Sequence, residues 1–390
     1  MKTVLIICYN KLHIDPRVLR QIQALKQNYK ILTIGYTQVN DNTIVYYPVR
    51  IPAHKRTLTQ KLFLLLDLLI NKVDTYEKIL ERDIDLEYIL SQNIIAPDVI
   101  IANDLAGLYT ASVLKSKNAW HAKIYFDAHE YFLNRYNASL KLCLIDKPII
   151  IYALKKCKKD ISAMSAVCEG IARKYESFFG FSAGFVSVIT NAPEYDTMLK
   201  PTEVKEGVVR LIHHGHAYKA RKLELMIKMM KYLDARKYEL TFMMIRDESD
   251  DYYDYLKKLS QNYKNIKFIE PVQFSDIVKT INNYDIGVYI LKPDNFNQKY
   301  GLPNKFFEFI QARLAIAVGP SIEMVKVIDR YALGVYSEDF SPKSLANRIK
   351  QMTSEEIMLY KWNSDKCARD LSAESNINKI RQIIAELENN

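Results

Sequence analysis

Glu308 lies about one turn into a run of apolar residues, Phe306, Phe307, Phe309, Ile310 and Ala312, which is too dense for a surface helix. A carboxylate there needs a partner, because an unpaired buried charge is very costly. Two arrangements satisfy it. In one, a backbone group or an arginine bonds it inside the core. In the other, the free N–H groups of the helix start face a bound phosphate and Glu308 holds a sugar hydroxyl. Gly301 and Pro303 punctuate the loop before this helix, and Pro303 near the first turn gives up no hydrogen bond. His129 is a second group able to do chemistry. It follows a strand and stands beside Asp127 and Glu130, carboxylates that can orient an imidazole. A third concentration is His214-Gly215-His216, followed by Lys219, Arg221 and Lys222. Taken singly, each of these bases is also compatible with a solvated loop residue.

These groups need elements to hold them. Thr3 to Ile7 is a continuous apolar run, the pattern of a buried parallel strand. A loop follows to Ile14, and Asp15-Pro16 then opens a helix with Asp as N-cap and Pro in the first position. Further strands read at 30–35, 97–102, 122–126, 165–167 and 186–189. A second series reads at 208–216, 239–245, 266–269, 285–290 and 315–318, with a last short element from Val335. Helices are expected at 222–233, after a Ser275 cap, and through the C-terminus. The first β-α-β unit lacks G-x-G-x-x-G, so the usual dinucleotide fingerprint is absent. Polar residues recur where strands end: Asn103-Asp104, Asp127-Ala128-His129-Glu130, Cys168-Glu169-Gly170, Asn191-Ala192-Pro193 and Glu270-Pro271-Val272. That edge is where open α/β sheets bind ligands. The expected class is α/β, with two doubly wound Rossmann-like domains facing a cleft. Their bounds are 1–195 and 205–371, joined by a polar linker, with a terminal helix at about 372–390 packing back on the first domain.

The chain has 390 residues, 49% hydrophobic and 26% charged, as in an ordinary globular protein. Five scattered cysteines without a C-x-x-C argue for a reducing compartment and against a zinc site. Asp83-Ile84-Asp85 lies in a polar helical stretch and makes no convincing metal site, so no metal and no cofactor is expected. No apolar run approaches the roughly 20 residues of a membrane span. The expected location is the cytoplasm. Net charge is +10 and uneven: residues 1–190 hold 25 basic against 17 acidic residues, a surplus of 8, leaving 30 against 28 beyond. Within the basic half, residues 54–72 set Lys55, Arg56, Lys61 and Lys72 around Leu62 to Ile70. They read either as a partly buried helix or as one lying on the inner face of the plasma membrane. No aromatic-basic pattern or recognition helix accompanies the charge, so nucleic acid is not the expected partner.

In the order and spacing of its motifs the chain resembles the GT-B glycosyltransferases, nearest the retaining group called family 4. The motifs are Asp15-Pro16-Arg17-Val18, Asp98 to Asp104, Tyr125-Phe126-Asp127-Ala128-His129-Glu130, Val167-Cys168-Glu169-Gly170, Thr190-Asn191-Ala192-Pro193, His214-Gly215-His216, and Leu302-Pro303-Asn304-Lys305-Phe306-Phe307-Glu308. The resemblance implies a hexosyltransferase-like enzyme that works without a metal. It would move a sugar, with retention, from a nucleotide-sugar donor held by the second domain to an acceptor held by the first. The acceptor is expected to be a saccharide or lipid-linked, in the synthesis of cell-surface polysaccharide. A nucleotide-sugar epimerase on the same fold, or a non-catalytic partner subunit of a transferase, is the alternative. By the same resemblance, catalysis falls to His129, Arg221 and Glu308. The donor is held by Gly215, His216, Arg221, Pro271, Pro303, Asn304, Lys305 and Glu308, and Arg17, Asp104, Asp127 and Glu130 lie on the acceptor side. Two departures stand out. The family's first donor glutamate falls on Tyr300, and its arginine and lysine after the strand ending in Gly215 fall on His216 and Arg221.

Overall fold

In the computed structural model the described residues are 1–50, 66–67, 70, 73–134 and 145–389. The proposed amphipathic segment at 54–72 therefore lies almost wholly outside them. The chain forms two compact units, residues 1–190 with 377–390, and residues 191–376.

The first unit is built on a seven-stranded sheet: β1 (Thr3–Ile7), β2 (Lys30–Gly35), β3 (Val45–Pro48), β4 (Val99–Asn103), β5 (Lys123–Ala128), β6 (Ile161–Ala166) and β7 (Val186–Val188), in the spatial order β3-β2-β1-β4-β5-β6-β7. Every pairing is parallel. β1 and β4 are buried along their whole length, which is why they read as unbroken apolar runs. Strand β3 has no strong sequence signal; it is short, half-buried and at the sheet edge, where its terminal Pro48 is tolerated. Helix Pro16–Leu25 begins as expected: the Asp15 carboxylate accepts from the backbone N–H groups of Arg17 and Val18, at 2.9 and 3.2 Å. That helix lays Val18, Ile22 and Leu25 on β1 and β2. The same core takes Ile377, Ile380, Ile384 and Leu387 from helix Ala373–Asn389, one face at helical spacing.

The second unit repeats the winding with six parallel strands: β8 (Val209–His216), β9 (Tyr238–Ile245), β10 (Ile266–Ile269), β11 (Ile286–Tyr289), β12 (Ala315–Val318) and β13 (Gly334–Tyr336), ordered β10-β9-β8-β11-β12-β13. In both sheets the strand order reverses beside the first strand, between β1 and β4 and between β8 and β11. These are the switch points at which such sheets open to ligands. Three local expectations change. Asp127 lies within β5 and not after it. The 222–233 helix is helix Glu224–Met229 followed by the 3-10 turn Met230–Tyr232, and Ser275 lies inside the 3-10 turn Phe274–Asp276 before helix Ile277–Ile281. Among the described residues, no helix is long and apolar enough to cross a membrane.

Candidate functional site

Register brings the polar residues of the first unit together. Asn103 on β4 pairs with Asp127 on β5, and Asp127 pairs with Ser165 on β6, so three polar side chains form one row near the strand ends. Helix Pro16–Leu25 sends Arg17 and Gln21, four residues apart on one face, down to this row. Arg17 donates from Nε to Asp127 Oδ2 at 2.6 Å and from Nη2 to Oδ1, and its Nη1 reaches the Ile189 carbonyl. Gln21 Nε2 donates to Asp127 Oδ2 and to Asn103 Oδ1, both at 2.8 Å. Ser165 Oγ donates to Asp127 Oδ1. Burial alone would raise the Asp127 pKa; the Arg17 guanidinium outweighs it and holds the carboxyl at about 2. Arg17 and Asp127 are thus buried and spent on each other, a bidentate pair that fixes the first helix to the sheet.

His129 stands just beyond β5 with its side chain 24% exposed, enough to meet a ligand. Asp127 is not the group that orients it. The ring nitrogens lie 3.3 Å from Asp104 Oδ2 and 3.3 Å from Asn103 Oδ1, while Asp127 Oδ2 is 4.0 Å away. Asp104 holds the backbone as well, accepting from the His129 N–H at 3.3 Å. It does so from a left-handed conformation, φ +60°, which non-glycine residues adopt rarely. Burial, reinforced by Arg17, lowers the His129 pKa, so the ring is neutral near pH 7 and able to accept a proton. The Glu130 carbonyl accepts from the Tyr175 hydroxyl at 2.8 Å.

In the second unit the expected donor residues gather at the end of β8. Helix Asn304–Gln311 starts there, with Pro303 as its N-cap residue, and carries Lys305 in its first turn and Glu308 one turn on. Lys305 is not a solvated lysine: it is only 5% exposed. Its Nζ lies 3.2 Å from His213 Nε2 and 4.6 Å from the centroid of the Tyr289 ring. A Cβ added to Gly215, at φ +113°, would come within 3.2 Å of that Nζ, so glycine is what lets the lysine reach the strand end. Arg221 lies over the Tyr218 ring, 5.7 Å from its centroid, and close enough to Tyr289 to oppose the rise that burial gives its hydroxyl pKa. Burial and the nearby Arg221 push the Lys305 pKa well below its ordinary value, against a smaller opposing pull from Glu308. Burial pushes Glu308 up to about 7.

Other expected donor residues fare differently. His216 is exposed and stacks on Tyr218, with centroids 5.1 Å apart and planes 7° apart. Burial and the cations Arg221 and Lys305 lower its pKa, so it does not bring the positive charge that the family's arginine would. Lys222 is paired with Asp294. Asn304 is exposed at the helix start. Pro271 is exposed beyond the edge strand β10. Tyr300, in place of a carboxylate, packs its ring on Phe296 at 4.7 Å.

His213, to which the sequence assigned no role, and His214, noted there only as part of a motif, are adjacent histidines inside a strand that is otherwise apolar there. His213 Nδ1 lies 2.8 Å from the Val288 carbonyl, which can only accept, so that nitrogen carries the hydrogen and Nε2 is left to accept from Lys305. His214 Nε2 lies 3.3 Å from Glu308 Oε2 but has no hydrogen-bond partner among the described residues. Burial and Lys305 hold its pKa near 3. Polar groups interrupting a buried strand at its C-terminal end were the available signal. Among the described residues, no group of three His, Cys, Asp or Glu side chains could hold a metal ion.

No family model matches the chain, and no curated protein sequence matches it. Solved structures do. Sucrose-phosphate synthase from Thermosynechococcus elongatus is similar over 99% of both chains, with a TM-score of 0.69 at 13% identity. A glycosyltransferase from Rickettsia africae is similar over 100% of this chain and 99% of its own, with a TM-score of 0.66 at 13% identity. HepE of Anabaena, in complex with UDP and glucose, is similar over 99% of both chains, with a TM-score of 0.66 at 12% identity. At this identity the likeness carries the fold, and the two-domain, Rossmann-like α/β fold these proteins share is the fold of this chain.

Proposed function

We propose that the chain is a glycosyltransferase that takes a sugar from a nucleoside diphosphate donor. The observation that carries this is Lys305 at the end of β8, its amine over the Tyr289 ring and against Gly215, with Arg221 a second base nearby and Glu308 the nearby carboxylate. Two cations and a helix start at a sheet switch point suit a diphosphate. The UDP bound by HepE, a protein of the same fold, supports the same ligand class. In the reaction the bond between sugar C1 and the β-phosphate oxygen breaks and a bond from C1 to an acceptor hydroxyl oxygen forms. Charge developing on the leaving phosphate is met by Arg221 and by Lys305, whose amine a neighbouring anion drives toward the charged form. These side chains supply the neutralisation without a metal ion. Glu308, near neutral in its apolar surroundings, and His214 Nε2 have hydrogen-bonding capacity for the donor's hydroxyls.

His129, oriented by Asp104, addresses the transferred sugar and the acceptor. By the resemblance, the leaving phosphate takes the acceptor's proton and the anomeric configuration is retained. The acceptor is a saccharide or lipid-linked, in surface polysaccharide synthesis, and residues 54–72 hold the enzyme to an anionic bilayer. Removing the charges at Lys55, Arg56 and Lys61 is then expected to reduce co-sedimentation with anionic liposomes. The reaction itself is tested by release of free nucleotide from a panel of nucleotide sugars with and without acceptors. Acceptor-dependent release that His129→Ala reduces by about a hundredfold is expected. A panel with no turnover, or sugar conversion without an acceptor, would count against transfer.

A further inference from the structure

Lys305 is held by a neutral partner. The His213 ring is packed between Phe242 and Tyr289, with centroids 6.0 and 5.0 Å away, and the Val288 carbonyl fixes its Nδ1–H tautomer. Its Nε2 then accepts from the Lys305 amine at 3.2 Å, on the side that Gly215 keeps free of a Cβ. We propose that His213 is a positioning residue for anion binding: it presents the Lys305 amine beside Gly215, where the diphosphate of a nucleotide lies. The inference rests on the donor-site reading above and names a residue that this reading does not require.

A lysine stem has four rotatable carbons, and ordering it on binding costs affinity. An anchor already in place removes that cost. The kind of anchor matters as well. A carboxylate would compete with the phosphate for the amine, whereas an imidazole lone pair orients the amine and adds no negative charge. Tyr289 gives this amine its ring face, Gly215 leaves it the room a Cβ would take, and Arg221 adds a second base, while burial pushes the Glu308 carboxyl, one turn along the same helix, toward its protonated form.

The test is calorimetric titration of the full chain with the tightest binder among UDP, GDP, CDP and ADP, and with the corresponding nucleoside. The variants are Lys305→Ala, His213→Phe, His213→Asn and Lys305→Ala/His213→Asn. Asparagine keeps an amide donor for the Val288 carbonyl but is too short to reach Nζ, so it separates positioning from folding. Each His213 variant is expected to bind the diphosphate roughly tenfold more weakly, with nucleoside affinity unchanged and the double variant no weaker than Lys305→Ala alone. Losses that add in the double variant, equal losses for the nucleoside, or unchanged diphosphate affinity in the His213 variants would overturn the inference while leaving the donor site standing. If none of the four diphosphates binds the wild type, the donor-site reading falls and the inference falls with it.

Discussion

Each unit places a basic side chain in the first turn of a helix near the end of its first strand, Arg17 in one and Lys305 in the other. Both are buried, at 4% and 5% exposure. Their surroundings differ. Arg17 meets the Asp127 carboxylate with two donors, and Gln21 and Ser165 take up the remaining acceptor sites. Lys305 meets a neutral imidazole and an aromatic face, with a second cation nearby. In the first unit the charge is matched by a buried carboxylate; in the second, among the described residues, no carboxylate lies within ion-pairing distance of the amine. A buried base in a ligand-type position can therefore be structural or functional, and its partner decides which.

The largest effect is expected at the Arg17–Asp127 pair, whose removal should unfold the first unit more readily than any change at Lys305. Arg17→Met and Asp127→Leu are each expected to cost about 3–5 kcal/mol in urea unfolding, because each leaves an opposite charge buried alone; the double variant recovers most of it. The pH dependence has a defined sign. The folded-state pKa of Asp127, about 2, lies below its ordinary 3.8. Its contribution to stability is therefore present above 3.8 and lost as pH falls through 2.

Lys305→Met should do the reverse. Unfolding stability is expected to stay level or rise, while nucleoside diphosphate affinity falls about ten- to a hundredfold, the weight of a charge-assisted hydrogen bond. Equal losses of stability at Arg17 and Lys305 would erase the distinction. Glu308 sharpens it further. Its folded pKa of about 7 lies above the ordinary 4.5, so the folded chain keeps a proton that the unfolded chain has released. Its ionisation thus lowers stability as pH rises from 4.5 through 7. Glu308→Gln is expected to gain little over wild type at pH 5 and on the order of 2–3 kcal/mol at pH 8 in the same assay. The smallest effect is expected from chelation: EDTA should leave nucleotide release unchanged if Lys305 and Arg221 neutralise the leaving group.

The sequence showed those parts whose cause is local. Strands β1, β2, β10 and β12 were bounded by their own apolar runs, and the Asp15-Pro16 helix start was bounded by its cap. The order of polar strand ends pointed to the edge of each sheet where the candidate site residues gather. What escaped notice depends on distant partners. A charged Asp127 inside β5 is stable only because Arg17, 110 positions away, reaches it. His213 meets its partner Lys305 only across 92 positions of sequence. No local pattern tells a solvated lysine in a first helical turn from one held beneath a strand end.

The central claim is that the end of β8 binds a nucleoside diphosphate through Lys305. Thermal unfolding with UDP, GDP, CDP and ADP tests it most directly, since a ligand that binds only the folded state raises its melting temperature. At least one diphosphate should raise the Tm of the wild type, and at the same concentration raise that of Lys305→Met distinctly less, while Lys305→Met without ligand melts no lower than the wild type. No shift with any of the four, or an equal shift in Lys305→Met, would contradict this.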